Sequence, residues 1–240
     1  MNAADNFQRD KNMTCIKIEI NKEQNKISVW NNGKGIPIAI HKDMNCYVPE
    51  MIFGQLLTSS NYNDDMRKVT GGRNGFGAKL ANIFSDKFII ETADSKQRKH
   101  YKQVFRKNMQ EKEPPVITPS SVENYTCVTF HPDLSKFKMT ELEDDTISLL
   151  TKRAYDLAGV SDSKVRVFLN NKRIEIKNFD DYCDLYLKSE ENKDLPKIVE
   201  KKQDRWEVIA SLSDGQFQQV SFVNSICTSK GGTHVNYITD

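Results

Sequence analysis

The fold of this chain is decided by the stretch Val69-Thr70-Gly71-Gly72-Arg73-Asn74-Gly75-Phe76-Gly77-Ala78-Lys79. It holds four glycines within seven positions, and glycine reaches backbone angles that let a loop approach an anion closely. Phe76, Leu80, Ile83 and Phe84 follow at helical spacing, so we expect a helix directly after the loop. A loop that leads into a helix start presents N–H groups and favours negative charge. The stretch therefore predicts a phosphate-binding loop.

Polar residues at three other places in the chain could complete a nucleotide site. Asn31 ends a predicted strand and precedes the glycine turn Gly33-Lys34-Gly35, a usual place for a ligand-reading group. Asn2 and Asn6 would share one face if their segment is helical. Thr126 opens a further predicted strand. The loop lacks the Gly-Lys-Ser/Thr ending of a P-loop, and no strand runs straight into it as in a dinucleotide fingerprint.

In order and spacing these four segments resemble the GHKL ATPases, which include gyrase, heat-shock chaperone ATPases and histidine kinases. Within this group the amino-acid sequence is most similar to that of eukaryotic type II DNA topoisomerases, along essentially the whole chain. The similarity is carried by residues 48–62, by the loop with its Lys79-Leu80-Ala81-Asn82-Ile83-Phe84-Ser85 continuation, and by residues 132–137 and 221–235. The resemblance implies an α/β (α+β) fold, in which helices cover a mixed sheet as a two-layer sandwich, followed by the start of a transducer-type α/β domain.

The resemblance also implies ATP and Mg²⁺ as cofactors and assigns a role to each matching position. Asn2 would hold the magnesium ion, Asn6 would lie near the phosphates, and Asn31 and Thr126 would lie near the adenine. The ribose and phosphate contacts would come from Ser59, Ser60 and Asn61, and the triphosphate would be wrapped by Gly72, Arg73, Asn74, Gly75, Phe76, Gly77, Ala78 and Lys79. In the intact enzyme the implied partners are DNA and a second identical subunit, and the implied location is the nucleus.

Two functional groups of the family have no counterpart in this sequence. The general-base glutamate would precede Met1, so no catalytic residue is assigned, and the lysine that reaches the terminal phosphate would follow Asp240. We therefore expect the chain to be a piece of a longer protein, with weak binding of Mg-ATP and little turnover by itself. We place a boundary near Lys177, between an ATP-binding domain (residues 1–176) and the beginning of a transducer domain (177–240).

Each motif has a plainer interpretation when it is taken alone. Asn2 and Asn6 could cap or decorate a helix end, and Asn31 could belong to an ordinary hairpin turn. Ser59-Ser60-Asn61 could be a simple loop, and Thr126 a cross-strand packing residue. The conjunction of these matches in one order favours the nucleotide site. Two alternatives stay open: a chaperone or mismatch-repair relative, and a folded module that binds no nucleotide.

Composition sets broad limits. The 240 residues carry a net charge of +2, and 38% are hydrophobic, as in an ordinary globular protein. No apolar run is long enough to cross a membrane. The five scattered cysteines predict free thiols. The basic run of Lys96, Arg98, Lys99, Lys102, Arg106 and Lys107 is more simply a solvated hairpin face than a DNA-facing patch.

Periodicity and turn residues also predict individual elements. We expect strands at 15–20, 26–30, 88–93, 101–105, 164–169, 173–176, 206–212 and 218–223, and helices at 49–57 and from 140 to about 158. The second helix would open with the capping box Thr140-Glu141-Leu142-Glu143. Asn170-Asn171-Lys172 predicts a tight hairpin turn. Residues 58–72 suit a polar lid, and residues 111–124 a proline-containing loop.

Overall fold

The computed structural model describes residues 1–56, 70–72, 75–188, 195–202 and 205–240. Helices occupy α1 (Asn2–Arg9), α2 (Val48–Gly54), α3 (Gly77–Ile83), α4 (Asp144–Val160), α5 (Phe179–Leu187) and α6 (Thr233–Thr239), with a 3₁₀ turn at Leu134–Phe137. Strands occupy β1 (Cys15–Asn21), β2 (Lys26–Asn31), β3 (Ile40–His41), β4 (Cys46–Tyr47), β5 (Ser85–Asp94), β6 (Lys99–Arg106), β7 (Glu111–Lys112), β8 (Val116–Pro119), β9 (Tyr125–Pro132), β10 (Arg166–Leu169), β11 (Lys172–Arg173), β12 (Lys197–Lys202), β13 (Trp206–Ser211), β14 (Phe222–Val223) and β15 (Ile226–Cys227). The predicted lid falls mainly on residues 57–69, which lie outside the described ranges.

Nine of the strands in the described ranges form one mixed sheet. Its order is β11-β10-β1-β2-β9-β5-β6-β7, with β8 also paired to β6. β1 and β10 run parallel, and the other neighbours run antiparallel. The hairpin predicted at Asn170-Asn171 is confirmed: both asparagines have positive φ angles, 47° and 65°, as a tight turn between β10 and β11 requires.

Helices cover one face of this sheet, which confirms the predicted two-layer α/β architecture. Alternate residues of β1 point toward the helices, and Ile16 packs with Phe7 of α1. Further along the sheet, Phe88 of β5 and Phe105 of β6 pack with Phe53 of α2. α4 closes the other end of this layer, over β10. No helix in the described ranges is long and apolar enough to cross a membrane.

The predicted start of the longest helix is wrong. α4 begins at Asp144 with Glu143 at its N-cap and makes no side-chain cap hydrogen bond, so the capping box at 140–143 does not form. Leu142 is instead buried with Ile20, and its N–H donates to the Asn25 side-chain oxygen at 2.9 Å. This long-range contact holds the segment outside the helix. The helix itself is confirmed, and its apolar residues Ile147, Leu150, Ala154 and Leu157 pack in the core.

Edge pairing accounts for further differences from the predicted elements. The expected loop at 111–124 contains β7 and β8, which pair with the outer edge of β6, where a strand end tolerates proline. The helix predicted at 49–57 begins at Val48 and ends at Gly54. Of the strand predicted at 218–223, only Phe222–Val223 forms one. The basic run lies on the β5–β6 hairpin and beyond it, where Lys102, Arg106 and Lys107 pair with glutamates.

An aromatic junction joins the C-terminal part of the chain to α4. The Tyr182 ring lies 5.7 Å from the Phe222 ring, and the Tyr182 hydroxyl donates to the buried Asp156 carboxylate at 2.6 Å. Lys152 and Arg153 also bind this carboxylate, at 2.9 and 2.8 Å. Burial raises the pKa of Asp156, but the three hydrogen bonds outweigh that effect, and the pKa is lowered overall.

Candidate nucleotide site

The centre of the candidate site is a hydrogen-bonded pair of asparagines between α1 and the end of β2. Asn6 Nδ2 donates to Asn31 Oδ1 at 2.7 Å and to the Lys34 backbone oxygen at 3.2 Å. The same Asn31 oxygen accepts the Gly33 N–H at 3.2 Å, and the side chain is only 5% exposed. A Cβ at Gly33 would lie 2.5 Å from Asn6 Nδ2. The structure therefore brings the predicted Asn6 and Asn31 together, and a side chain at position 33 would displace Asn6.

Strand pairing brings Thr126 beside Asn31. The two residues are register partners of β9 and β2, and Asn31 Nδ2 donates to the Thr126 backbone oxygen at 3.4 Å. On the other side, Thr92 of β5 is fully buried and lies 3.4 Å from the Thr126 hydroxyl. The Thr92 hydroxyl also accepts the Ile36 N–H at 3.0 Å. Three strands and the turn after β2 are thus joined by polar contacts beside Asn31.

The first two amides of the glycine loop are bound by a carboxylate of α1. Asp5 Oδ1 accepts the Gly71 N–H at 2.8 Å, and Oδ2 accepts the Gly72 N–H at 2.9 Å. Asp5 is 7% exposed, so water competes little for these bonds. The expectation that Gly72 offers a bare amide to phosphate is therefore not met in this arrangement. Asp5 instead fixes where the loop begins relative to Asn6, one residue further along α1.

The end of the loop has an open side and a buried side. Gly75 has a φ of +69°, which side-chain-bearing residues rarely adopt, and a Cβ at Gly77 would meet nothing within 4 Å. Phe76 is 38% exposed at the N-cap of α3, and Ala78 packs on the core. Lys79 is 2% exposed, and its amine donates to the Gly75 backbone oxygen at 2.9 Å. Burial lowers the pKa of that amine.

The helix after the loop is confirmed, but the large apolar residues that predicted it do not form a buried face. Leu80 is 45% exposed and Phe84 38%, whereas Asn82 is fully buried and donates to the Phe53 backbone oxygen at 3.0 Å. The spacing of the apolar residues correctly predicted a helix. It could not reveal that a polar side chain, that of Asn82, would bind the backbone of α2.

The other predicted site residues have different positions. Asn2 is exposed in the first turn of α1. The remaining predicted contacts lie outside the described residues: Ser59, Ser60, Asn61, Arg73 and Asn74. No group of three or more His, Cys, Asp or Glu side chains suited to a metal ion occurs in the described ranges. A side-chain amide oxygen such as that of Asn2 is nevertheless a donor that Mg²⁺ accepts, since this ion is commonly held by few protein ligands together with phosphates.

Residues of the C-terminal part contact the start of the loop. Asn224 Nδ2 donates to the Thr70 backbone oxygen at 3.4 Å, and a Cβ at Gly71 would lie 2.8 Å from the Asn224 backbone oxygen. Nearby, His234 Nε2 lies 3.0 Å from the Thr228 hydroxyl and 3.3 Å from that of Ser221. These contacts fit a structural histidine. Sequence reasoning missed Asp5 and Asn224; a carboxylate between the two predicted asparagines was the available signal for Asp5.

Comparison with known proteins shows the family to which the chain belongs. Residues 1–136 match the model described as histidine kinase-, DNA gyrase B-, and HSP90-like ATPase. The chain belongs to this ATPase family. Residues 178–240 match a second model, DNA gyrase B. In this chain the segment that matches the ATPase family is thus followed by a segment that matches DNA gyrase B. This order agrees with the resemblance to eukaryotic type II topoisomerases.

Individual relatives of the chain are named DNA topoisomerase 2. The chain is 60% identical to DNA topoisomerase 2 of Arabidopsis thaliana and 58% identical to DNA topoisomerase 2-alpha of Gallus gallus, over 100% of its length. It spans 17% and 16% of those relatives. It superposes on the ATPase region of Saccharomyces cerevisiae topoisomerase II with a TM-score of 0.94 at 52% identity, covering 100% of this chain and 62% of that one.

Proposed function

We propose that this chain is the ATP-binding region of a type II DNA topoisomerase and that it binds Mg-ATP beside the asparagine pair. The observation that carries the proposal is the joint position of Asn6, Asn31 and Thr126 next to the anchored glycine loop. The open space at Gly77 supports it, because a phosphate could approach the backbone there. The buried Thr70 hydroxyl, which has no partner among the described residues, adds a polar group at the loop.

Within this proposal, each side chain acts through the chemistry of its own groups. Asn31 and Thr126 lie along the adenine edge, and Asn6, which lies near the phosphates, orients Asn31 through the hydrogen bond to its oxygen. Asn2 supplies an oxygen to the magnesium ion, which when bound neutralises phosphate charge. The remaining contacts are those that the resemblance assigns to Ser59, Ser60, Asn61 and the residues from Gly72 to Lys79; the Gly72 amide stays bound to Asp5 and contributes by placing the loop.

The larger role rests on the relatives that carry the name topoisomerase 2. We propose that, in an intact homodimeric enzyme in the nucleus, ATP binding closes the two subunits around a DNA segment, and that hydrolysis and product release reopen them. Binding energy drives such closure only if the nucleotide contacts the closed state better than the open state. The ATP-binding domain ends near Lys177 in this proposal, and a transducer domain follows.

Residues 1–240 expressed by themselves are expected to bind Mg-ATP weakly and to turn it over little. The resemblance puts the general base before Met1 and the phosphate-binding lysine after Asp240, so neither group is available to this polypeptide. Isothermal titration with Mg²⁺ and a non-hydrolysable ATP analogue measures the affinity, and phosphate release measures the turnover. Turnover at the rate of a complete ATPase region would contradict the assignment of these two groups.

Gly75→Val tests the loop directly. The substitution forces a β-branched residue to a φ of +69° and blocks the backbone, so nucleotide binding should be lost. Gly215→Val is the matched control, because Gly215 also has a positive φ (102°) but lies in an exposed loop with nothing within 4 Å of its Cβ position. The control should bind normally. Unchanged affinity in Gly75→Val would refute the loop assignment.

The two alternatives predict other results. A chaperone-like clamp would share the nucleotide pocket, but the match of residues 178–240 to the gyrase model favours the topoisomerase. A folded module without nucleotide binding would show no change in melting temperature when Mg²⁺ and the ATP analogue are added. A shift of several degrees would exclude that module, since a ligand that binds the native state alone raises its stability.

A further inference from the structure

The sheet face opposite the helices carries a row of basic and aromatic side chains that the nucleotide site does not use. We call it the transverse row; from one edge of the sheet inward it consists of Arg173, Phe168, Lys17, Trp30, Tyr125 and His100. Direct register partners link Arg173 to Phe168, Phe168 to Lys17, and Lys17 to Trp30. Asn31 and Thr126 point to the helices, so their neighbours Trp30 and Tyr125 point away from them.

The rings of the transverse row lie against one another across the strands. The Trp30 and Tyr125 centroids are 6.2 Å apart with planes inclined by 27°, and those of Tyr125 and His100 are 6.0 Å apart at 29°. Tyr125 and His100 both pair with Ala93, which is fully buried between their strands. The Lys17 amine lies 4.8 Å from the Trp30 centroid. The result is a half-exposed aromatic strip with a cation over its Trp30 ring.

The charge of this face is positive at the end of the row formed by β11, β10 and β1. Lys17, Arg166 and Arg173 are exposed on strands β1, β10 and β11. The two carboxylates on neighbouring positions are already paired: Glu19 with Lys26 at 3.1 Å, and Glu91 with Lys102 at 3.2 Å. Between β11 and β6 the row crosses six inter-strand spacings of about 4.8 Å, or roughly 29 Å. That length accommodates a short run of nucleotides.

We propose that the transverse row binds single-stranded DNA. Unpaired bases stack on the faces of Trp30, Tyr125 and His100, and Lys17 moves from its position over the Trp30 ring to contact a phosphate, as Arg173 does. Aromatic rings on an open sheet surface with adjacent cations suit unstacked bases, whereas a duplex keeps its base faces covered. An acidic peptide would match the charges but would make no use of the strip of rings. The choice of DNA over RNA rests on the proposed function. The proposal that the transverse row binds a single-stranded nucleic acid does not rest on it.

Tryptophan fluorescence tests the proposal, because Trp30 and Trp206 are the two tryptophans of the chain. In a Trp206→Phe background, a 12-residue oligo(dT) should quench the fluorescence of Trp30 saturably. Tyr125→Leu should weaken binding about tenfold, in the range of a lost stacked base. The double change Lys17→Ala, Arg173→Ala should reduce the slope of log affinity against log salt by about 1.4, for two phosphate contacts on a single strand.

Controls make the result specific. Lys230→Ala removes an exposed cation from the loop before α6, and Trp206→Ala removes an aromatic from β13; both should bind oligo(dT) as before. Equal or tighter binding of a 12-base-pair duplex, quenching of Trp30 by polyglutamate instead of oligo(dT), or tenfold tighter binding of oligo(U) would each overturn the proposal. Unchanged binding in the Lys17/Arg173 variant, which alters only exposed side chains, would overturn it even if Tyr125→Leu failed to fold.

The nucleotide site and the transverse row can fail independently, because they lie on opposite faces of the sheet. Affinity for the ATP analogue should therefore be unchanged in the Lys17/Arg173 variant. A chain that binds oligo(dT) but no nucleotide would contradict the proposed function alone. A chain that binds nucleotide but does not show quenching would contradict the transverse row alone.

Discussion

Replacing Asp5 with asparagine removes the charge that holds the start of the glycine loop. The two carboxylate oxygens accept the Gly71 and Gly72 N–H groups at 2.8 and 2.9 Å. An asparagine side chain keeps one acceptor but turns an NH₂ group toward the second N–H. A hydrogen bond to a charged group contributes about 1.5–3 kcal/mol, and Asp5 is only 7% exposed. We therefore expect Asp5→Asn to lower the free energy of unfolding by about 2 kcal/mol.

The same change should weaken nucleotide binding. Asp5 positions the loop beside Asn6 before a ligand arrives, and a loop that must be ordered during binding costs affinity. We expect the dissociation constant for the ATP analogue to rise about tenfold, which corresponds to about 1.4 kcal/mol. Urea unfolding measures the first effect, isothermal titration the second, and hydrogen exchange at the Gly71 and Gly72 amides reports on the contact itself.

The control for Asp5 is Asp145→Asn, which removes an exposed carboxylate from the first turn of another helix, α4. Its effect on unfolding should stay within the few tenths of a kcal/mol typical of surface changes. Unaltered exchange at Gly71 and Gly72 in Asp5→Asn would refute the anchoring role. Tighter nucleotide binding would refute the ordering argument, because it would mean that Asp5 competes with the phosphates for these amides.

Two further predictions concern packing and pH. A Cβ at Gly35 would lie 2.1 Å from the Ala93 backbone oxygen, so Gly35→Ala should lower the free energy of unfolding in urea by about 1–3 kcal/mol. Gly77 lies in a helix with nothing within 4 Å of its Cβ position, so Gly77→Ala should raise that free energy by about 0.5–1 kcal/mol. Equal effects of the two substitutions would contradict this account. The folded-state pKa of Asp156 is below the usual 3.8, so its contribution is full above that value and is lost as pH falls through the lower folded pKa. The unfolding free-energy difference between the wild type and Asp156→Asn should therefore be constant above about pH 5 and shrink below about pH 4; a difference that grows on acidification would contradict the sign.

Local chemistry made part of this fold predictable. The first two strands alternate in hydrophobicity, and the Asn170-Asn171 turn follows from the tolerance of asparagine for positive φ angles. Long-range contacts made the rest unpredictable. The capping box failed because Leu142 is held by Asn25, 117 residues earlier in the chain. No local signal shows that β7 and β8 would find the free edge of β6.

The site divides in the same way. The resemblance assigned Asn6 and Asn31 to one nucleotide site, but it did not predict that they bind each other; the structure shows the hydrogen bond that joins them. The bond from Asp5 to the loop spans 66 residues and could not be read from either segment alone. Lys79 lies at the predicted helix start, yet its buried amine binds the Gly75 backbone oxygen. The motif thus predicted where Lys79 lies along the chain, but not the direction in which its side chain points.

The start of the glycine loop is held from two sides, and this has a mechanical consequence. Asp5 of α1 binds the Gly71 and Gly72 amides, while Asn224, beyond the junction with α4, binds the Thr70 oxygen. A Cβ at Gly71 would collide with the Asn224 backbone, so the two segments are in close contact. Any ligand that displaces the loop must therefore alter a contact with the C-terminal part. Since a ligand shifts a conformational equilibrium only through contacts that differ between states, Asn224 is where a change at the nucleotide site reaches residues 221–228 most directly.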